Sequence, residues 1–148
     1  MGRIIIMVAH GLSSSGLFCI VNIYYERSGS RRFFINKGLI TSLPSITLFM
    51  FLLCAANIAA PPTVNLLSEI MLIARIISFN YLIFLVFPLG TFLGAVFTLF
   101  IYSFSQHGGI YFSSFSFITS NVRELNTLFL HVLPVNIIIL NSSLLLTI

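Results

Sequence analysis

The sequence contains very few charged residues. Of its 148 residues only 7% are charged, three are acidic, and there is no tryptophan or aspartate. A soluble domain has about 25% charged residues. Here 58% of the residues are hydrophobic and the mean hydropathy is +1.10. This composition excludes a soluble globular domain and predicts an all-α membrane protein, with residues 1–148 forming a single membrane region.

Residues for metal, nucleotide or nucleic-acid chemistry are also scarce. The two cysteines, Cys19 and Cys54, lie in apolar runs without CxxC or Cys/His spacing, so we expect them to be small buried apolar residues. No nucleotide-binding loop, metal-ligand cluster or nucleophile–base pattern occurs. The net charge of +4 comes largely from one short loop and does not form a face for nucleic acid. The expected surroundings are a lipid bilayer, with no nucleic-acid partner.

About four transmembrane helices are predicted from the hydrophobic runs. The runs extend from about Ile4 to Tyr24, Leu39 to Phe79, Tyr81 to Phe104, and Leu125 to the C-terminus. The second run is interrupted by Pro61-Pro62, which removes two N–H donors and breaks a helix. Since a span needs about 20 residues and only about 16 follow the break, we interpret this run as one discontinuous helix.

Basic residues predict the orientation of the spans. The loops 25–38 and 105–124 carry the positive charge, so both are placed on the inner side of the membrane. The first span then runs from outside to inside, with only Met1-Gly2-Arg3 before it, as in a chain that begins in mid-protein. A signal peptide is the alternative, but the span is too long and lacks a small-residue cleavage pattern.

Glu69 is the only charged residue between Lys37 and Arg75. A carboxylate within the membrane costs about 2.5–3.5 kcal/mol on insertion scales, and such acids are usually functional. Non-helical backbone at this depth persists only where protein or a water-filled cavity covers it. The broken helix and the single acid together predict an ion-transfer site with Glu69 as a reversible proton carrier. The alternative is a structural ion pair with a cation from another helix.

Asn65 lies one turn before Glu69 on the same predicted helical face. The half-helix that begins near Thr63 or Val64 directs its positive dipole end towards the middle of the membrane. Broken helices of this kind build ion and substrate sites in transporters.

His10 is the second candidate for proton transfer. Ser13 and Ser14 follow it at i+3 and i+4, so the three residues are predicted to share one helical face along which a proton is passed. A histidine that bonds only a neighbouring backbone carbonyl is the alternative. His107 is predicted to be a loop histidine, and His131 to pack near a kink at Pro134.

Arg123 and Glu124, adjacent in the sequence, are predicted to form an interfacial ion pair just before the last span.

Several stretches together resemble the C-terminal part of the subunit 4 family of mitochondrial NADH:ubiquinone oxidoreductase, respiratory complex I. The resemblance covers roughly residues 7–140, and the run from Pro61-Pro62 to Glu69 is its most specific part. The other matching stretches are Ala9-His10-Gly11-Leu12, Tyr25-Glu26-Arg27, Asn36-Lys37-Gly38-Leu39, Ser105-Gln106-His107-Gly108, Arg123-Glu124 and Leu130-His131.

The resemblance implies the C-terminal portion of a fourteen-helix antiporter-like fold in the mitochondrial inner membrane, with both basic loops on the matrix side. It implies that Glu69 exchanges protons with the intermembrane-space side, that His10 relays them, and that Pro61, Pro62 and Asn65 form the helix break. NAD, FMN, iron–sulfur clusters and ubiquinone would be bound by other subunits and none by this chain. Its partners would be other membrane-arm subunits and the missing N-terminal part of the same subunit.

The sequence departs from the family pattern at Ser68, where glycine is usual, and at Ser13, where invertebrate members often have cysteine. The central lysines and the other glutamate of the family are absent, so the isolated chain is not expected to be catalytic. The alternatives are a subunit of a multi-subunit cation/proton antiporter, a structural membrane fragment, or an incomplete gene record with no separate function.

Overall fold

The computed structural model describes residues 2–32, 34–80, 83–109 and 120–140, and the regular structure in these residues is entirely helical. The helices are α1 (Gly2–Ser28), α2 (Leu39–Ser42), α3 (Pro44–Asn57), α4 (Val64–Phe79), α5 (Ile83–Gln106) and α6 (Val122–Leu140). This confirms the all-α membrane fold. Three helices, α1, α5 over Phe84–Gln106 and α6 over Val122–Ile139, are long and apolar enough to cross a membrane.

Helix α1 packs against α3, α4 and α6. Its small residues permit this close packing. A Cβ atom added to Gly16 would lie 2.8 Å from Cδ1 of Leu53 in α3 and 3.2 Å from Cβ of His131 in α6. A larger residue at Gly16 would therefore displace the end of the Leu53 side chain and press on Cβ of His131, as expected where membrane helices approach through small residues.

Helices α3 and α4 follow one another along the same side of α1. Met50 and Leu53 of α3 lie beside the C-terminal half of α1, where the Tyr24 hydroxyl is 3.7 Å from the Met50 sulfur. Val64 of α4 packs with Ala9, nearer the start of α1. Later residues of α3 and α4 therefore contact earlier residues of α1. The two helices form a single discontinuous helix, as predicted, and it runs antiparallel to α1.

The predicted helix boundaries need three corrections. Helix α1 continues past Tyr24 to Ser28, α6 begins at Val122 rather than Leu125, and an additional interruption at Leu43 separates α2 from α3. The interruption arises because Pro44 has no N–H and disfavours helical backbone at the residue before it. The predicted start of the third span at Tyr81, and residues 141–148 of the fourth, lie outside the described residues.

One end of the bundle carries most of the positive charge, and we call it the basic end. It contains the end of α1, the start of α3, the end of α5 and the start of α6, since Gln106 bonds Thr47 and Arg27 bonds Glu124. The following five of the seven basic residues lie there: Arg27, Arg31, Arg32, Lys37 and Arg123.

The described parts of the two basic loops, residues 25–32, 34–38, 105–109 and 120–124, therefore lie at the same end of the bundle. They are shorter than predicted, because residues 25–28, 105–106 and 122–124 belong to helices. The side of the membrane that this end faces stays a prediction.

Candidate functional site at the helix break

The end of α3 is closed by backbone hydrogen bonds. Ala59, with φ of 60°, adopts the left-handed conformation, and its N–H donates to the Ala56 carbonyl at 3.2 Å. The Ala60 N–H donates to the Ala55 carbonyl at 2.9 Å. These two bonds form a Schellman motif, which satisfies carbonyls that a helix end leaves without partners. The chain therefore leaves the helix at membrane depth without exposing these carbonyls.

Asn65 joins the two halves of the discontinuous helix. Its Nδ2 donates to the Ala56 carbonyl of α3 at 2.6 Å, and its side chain is only 4% exposed. The Asn65 Oδ1 atom is buried and accepts no hydrogen bond. Asn65 thus belongs to the helix break because its side chain bonds across the break to α3.

Helix α4 begins at Val64, one of the two predicted start positions. Thr63 is its N-cap in extended backbone, and the Thr63 hydroxyl donates to the Ala60 carbonyl at 2.7 Å instead of capping α4. The first-turn N–H groups of α4, which carry the positive end of its dipole, consequently lie next to the break. Pro61 and Pro62 are exposed within the break itself.

Glu69 lies on α4, five residues after the start of this helix, and its side chain is half-buried. At about 1.5 Å per residue it is about 15 Å from the end of α4 at Phe79. Among the residues that the structure describes, neither a hydrogen bond nor an ion pair reaches the Glu69 carboxylate. A carboxyl in this position can gain or lose a proton without breaking a bond within the described part of the chain.

His10 lies on the exposed side of α1, away from the helices that pack against Ala9. Ser13 is fully buried, and its hydroxyl donates to the His10 backbone carbonyl at 3.1 Å. The Ser14 hydroxyl likewise donates within its own helix, to the Gly11 carbonyl at 3.2 Å. The predicted polar stripe of one histidine and two hydroxyls is therefore not formed in this arrangement.

The two candidate proton carriers lie at different depths. A Cβ atom added to Gly2 would lie 3.2 Å from Cβ of Met71 and 3.7 Å from the Ser68 carbonyl oxygen, so Glu69 is level with the start of α1. His10 lies eight residues after Gly2, which at about 1.5 Å per residue places Glu69 about 12 Å from the level of His10 along the bundle axis. The described residues contain no hydrogen bond between these two side chains.

The structure also contains a buried polar cluster at the basic end that the sequence analysis missed. Gln106 is fully buried, its Oε1 accepts from the Thr47 hydroxyl at 2.7 Å, and its Nε2 donates to the Tyr24 hydroxyl at 3.3 Å. The cluster joins α1, α3 and α5. The sequence signal for this cluster is a glutamine, Gln106, at the end of an apolar run. Its hydrogen-bond partners lie 59 and 82 residues away in the sequence, so no local pattern predicts them.

The predicted ion pair between Arg123 and Glu124 is wrong. Glu124 pairs instead with Arg27, with an Nη2–Oε2 distance of 2.5 Å, and it also accepts a bond from the Asn121 N–H. Neighbouring residues on a helix point in different directions, and the end of α1 lies closer to the Glu124 carboxylate than the adjacent arginine does.

The remaining histidines have local roles. The Nδ1 atom of His131 lies 2.7 Å from the Thr127 carbonyl within α6, and its packing near a kink at Pro134 stays a prediction. His107 is exposed just beyond α5. Across the described ranges there is no group of three or more His, Cys, Asp or Glu residues suited to hold a metal ion.

The long apolar helices and the discontinuous helix packed beside α1 define a multi-pass helical membrane protein. The model of the family described as NADH:quinone oxidoreductase/Mrp antiporter, transmembrane region, matches residues 1–98, and the chain belongs to this family.

Individual proteins that are similar to this chain agree with this family assignment. The chain is similar to proteins named NADH-ubiquinone oxidoreductase chain 4 from Aedes aegypti (47% identical over 142 residues) and Ceratitis capitata (49% over 142 residues). In each case the match covers 96% of this chain and 32% of the relative. The protein of the same name from Anopheles arabiensis is 46% identical, and the match covers 64% of it. The predicted resemblance is confirmed, and the chain spans about a third of the length of the first two relatives.

Proposed function

We propose that this chain works as part of an antiporter-like membrane-arm subunit of respiratory complex I. This enzyme couples the oxidation of NADH by ubiquinone to proton translocation across the inner mitochondrial membrane. The observation that carries the proposal is the Glu69 carboxyl, half-buried on the half-helix α4 and without a hydrogen bond or ion pair among the described residues. The names of the relatives supply the biological setting.

Glu69 is proposed to exchange protons with the intermembrane-space side. A carboxylate is costly in hydrocarbon unless it is neutralised, so protonation is the simplest way to neutralise it. The Glu69 side chain is only half-buried, so water can solvate the ionised form that remains after the proton leaves. Burial and hydration thus oppose each other and allow both protonation states to be populated during turnover.

His10 is proposed to relay protons to Glu69 from the centre of the full subunit. Its exposed position on α1 directs it away from the described helices and towards other polypeptide or lipid. Since its level is about 12 Å from that of Glu69, the transfer requires water or another side chain between them. The other titratable groups along the proposed path of the protons would come from polypeptide outside these 148 residues.

The basic end is proposed to face the matrix, as expected from the positive-inside rule. NADH, flavin, iron–sulfur clusters and ubiquinone are assigned to other subunits of the complex. The 148-residue chain alone is not expected to catalyse the reaction. Its enzymatic role is that of a part of the H⁺-translocating NADH:ubiquinone reductase.

A cation/proton antiporter subunit is the alternative within the same family, whose description includes both kinds of protein. The proteins that co-purify with the full-length subunit distinguish the two functions. Co-purification of the full-length subunit with redox subunits supports complex I, whereas co-purification with other antiporter subunits alone would overturn the assignment.

The proposed role of Glu69 predicts that Glu69→Gln in the full-length subunit reduces proton pumping and coupled NADH oxidation about a hundredfold, the lower end of the range for a lost general acid–base group. The measurement is proton uptake by vesicles containing the reconstituted complex. Glu26→Gln is the matched control, because Glu26 is exposed near the end of α1 and bonds only Asn22 in the described residues. Pumping by Glu69→Gln equal to that of the control would refute the proton-transfer role.

A further inference from the structure

Arg3 lies at the same level of the bundle as Glu69. A Cβ atom added to Gly2 would lie 3.7 Å from the Ser68 carbonyl oxygen, so α1 and α4 are in close contact there. Arg3 directly follows Gly2 on α1, and Glu69 directly follows Ser68 on α4. The two charged residues are therefore within about one helical turn of each other along the bundle axis.

Arg3 and Glu69 also lie on the same side of the contact between α1 and α4. Each is turned by about 100° from the residue before it, because an α-helix has about 3.6 residues per turn. In two antiparallel helices, equal rotations away from the facing residues lead to the same side of the pair. The Arg3 and Glu69 side chains therefore extend along one groove between α1 and α4.

The described helices leave this side of α1 open. Arg3 is exposed, whereas Ile5 and Ala9 are buried on the opposite side of α1, against α4 and α6. Helix α5 packs against α3 and α4 but does not contact α1. Within the described part of the chain, no helix separates the Arg3 side chain from that of Glu69.

Arg3 is the only cationic residue at this level among the described residues. Arg75 lies six residues after Glu69 on α4 and is turned about 120° around that helix. His10 is about 12 Å away along the axis. Helices α3 and α5 carry no charged residue. The charged and titratable residues of α6 lie in its first half, towards the basic end: Arg123, Glu124 and His131.

The chemistry of the two side chains is complementary. Neither the Arg3 guanidinium nor the Glu69 carboxyl has a hydrogen bond or an ion pair within the described residues, so both can move. Charged groups within membrane segments pair with one another, because hydrocarbon solvates them poorly. An arginine in a protein keeps its own proton, so Arg3 does not accept the proton that Glu69 releases.

From this geometry we propose that Arg3 is a positioning residue for proton release. Its guanidinium binds the Glu69 carboxylate once the proton has left for water, and the pair separates when the carboxyl is protonated again. The inference rests on the proposed function of Glu69, and it adds a counter-ion on α1 that stabilises the ionised state.

Zero-length cross-linking in the assembled complex tests the contact. Arg3→Lys in the full-length subunit keeps the charge and supplies a nucleophilic amine. A hydrophobic carbodiimide activates the Glu69 carboxyl and the amine attacks it. An amide bond then forms between positions 3 and 69, and the carbodiimide leaves as its urea with one carboxyl oxygen. Mass spectrometry of the subunit is expected to find this link.

Arg75→Lys is the matched control for the cross-link. It places the same amine at an exposed position of α4 itself, on a different side from Glu69, and is expected to give no link. An equal yield from Arg75→Lys would overturn the proposed contact. For Arg3→Lys, an N-acylurea at Glu69 without the link, or no product at all, would also overturn it.

Proton pumping by the reconstituted complex tests the role in release. Arg3→Gln is expected to slow pumping about fivefold, the effect of losing one exposed ion pair. Arg3→Lys is expected to restore most of the rate, and Arg75→Gln to leave it unchanged. Loss of pumping in both Arg3→Gln and Arg3→Lys would show a need for the shape of arginine and overturn the role of its charge.

The outcomes separate this inference from the proposed function. Normal pumping by Arg3→Gln together with a large loss in Glu69→Gln would overturn the role of Arg3 and leave that of Glu69 intact. Normal pumping by Glu69→Gln would refute the proposed function, and a link between positions 3 and 69 would then mark a structural contact without a role in release.

Discussion

At the scale of single residues, the helix break depends on one buried carboxamide. Pro61 and Pro62 explain why the helix stops, but they do not explain how its two halves remain aligned. The Asn65 side chain supplies the alignment through its bond to the Ala56 carbonyl, 9 residues earlier in the sequence. The sequence placed Asn65 on the face of Glu69, yet it could not show this bond, because the target carbonyl is brought near only by the turn at Ala59.

Substitution of Asn65 tests this bond. Asn65→Leu keeps a similar size and removes the donor, and is expected to lower the free energy of unfolding by about 1 kcal/mol. Asn65→Asp places a carboxylate oxygen against the Ala56 carbonyl and is expected to cost about 1–3 kcal/mol more, because a buried charged group is left without a donor. Thermal unfolding followed by circular dichroism measures both changes. An Asp variant as stable as the Leu variant would show that the bond across the break is not formed.

At the scale of the helices, local sequence signals gave the correct order of elements and misplaced some boundaries. The proline pair predicted the break, and α4 begins at Val64 as expected. Pro44 is an equally local signal for the interruption at Leu43, but a single proline inside an apolar run does not show by itself whether the helix stops there. By contrast, α5 and α6 continue through Pro88 and Pro134. A proline alone therefore does not fix an interruption, because a membrane helix can continue through it where neighbouring groups satisfy the freed backbone carbonyls.

Helical periodicity also predicted which residues share a face, but not what packs against that face. His10 and Ser13 are three residues apart, yet Ser13 is fully buried and His10 is exposed. The boundary between the packed side and the open side of α1 passes between them. That boundary depends on where α4 and α6 pack, and no local pattern in α1 specifies it.

At the scale of the whole molecule, the basic end is held together by contacts between residues distant in sequence. Arg27 and Glu124 are separated by 97 residues and join the end of α1 to the start of α6. Their side chains are 8% and 19% exposed, so the pair is largely shielded from water. Removal of one partner from such a pair leaves the other charge poorly solvated.

A double-mutant cycle of Arg27→Gln and Glu124→Gln measures this link. We expect a coupling energy of about 1–3 kcal/mol in the free energy of unfolding. The matched cycle replaces Arg27→Gln with Arg123→Gln and is expected to give a coupling near zero, because Arg123 does not contact Glu124 in the structure. Stronger coupling in the Arg123 cycle would restore the pair that the sequence alone suggested.

The central claim is that Glu69 takes up and releases a proton within the membrane. Infrared difference spectroscopy of the carboxyl C=O band, recorded on the reconstituted complex between about pH 5 and about pH 9, measures this directly because only the protonated carboxyl has that band. The account predicts a change in this band for the wild type that is retained in Glu26→Gln and absent from Glu69→Gln. Identical spectra for the wild type and Glu69→Gln would contradict it and would assign Glu69 a purely structural role.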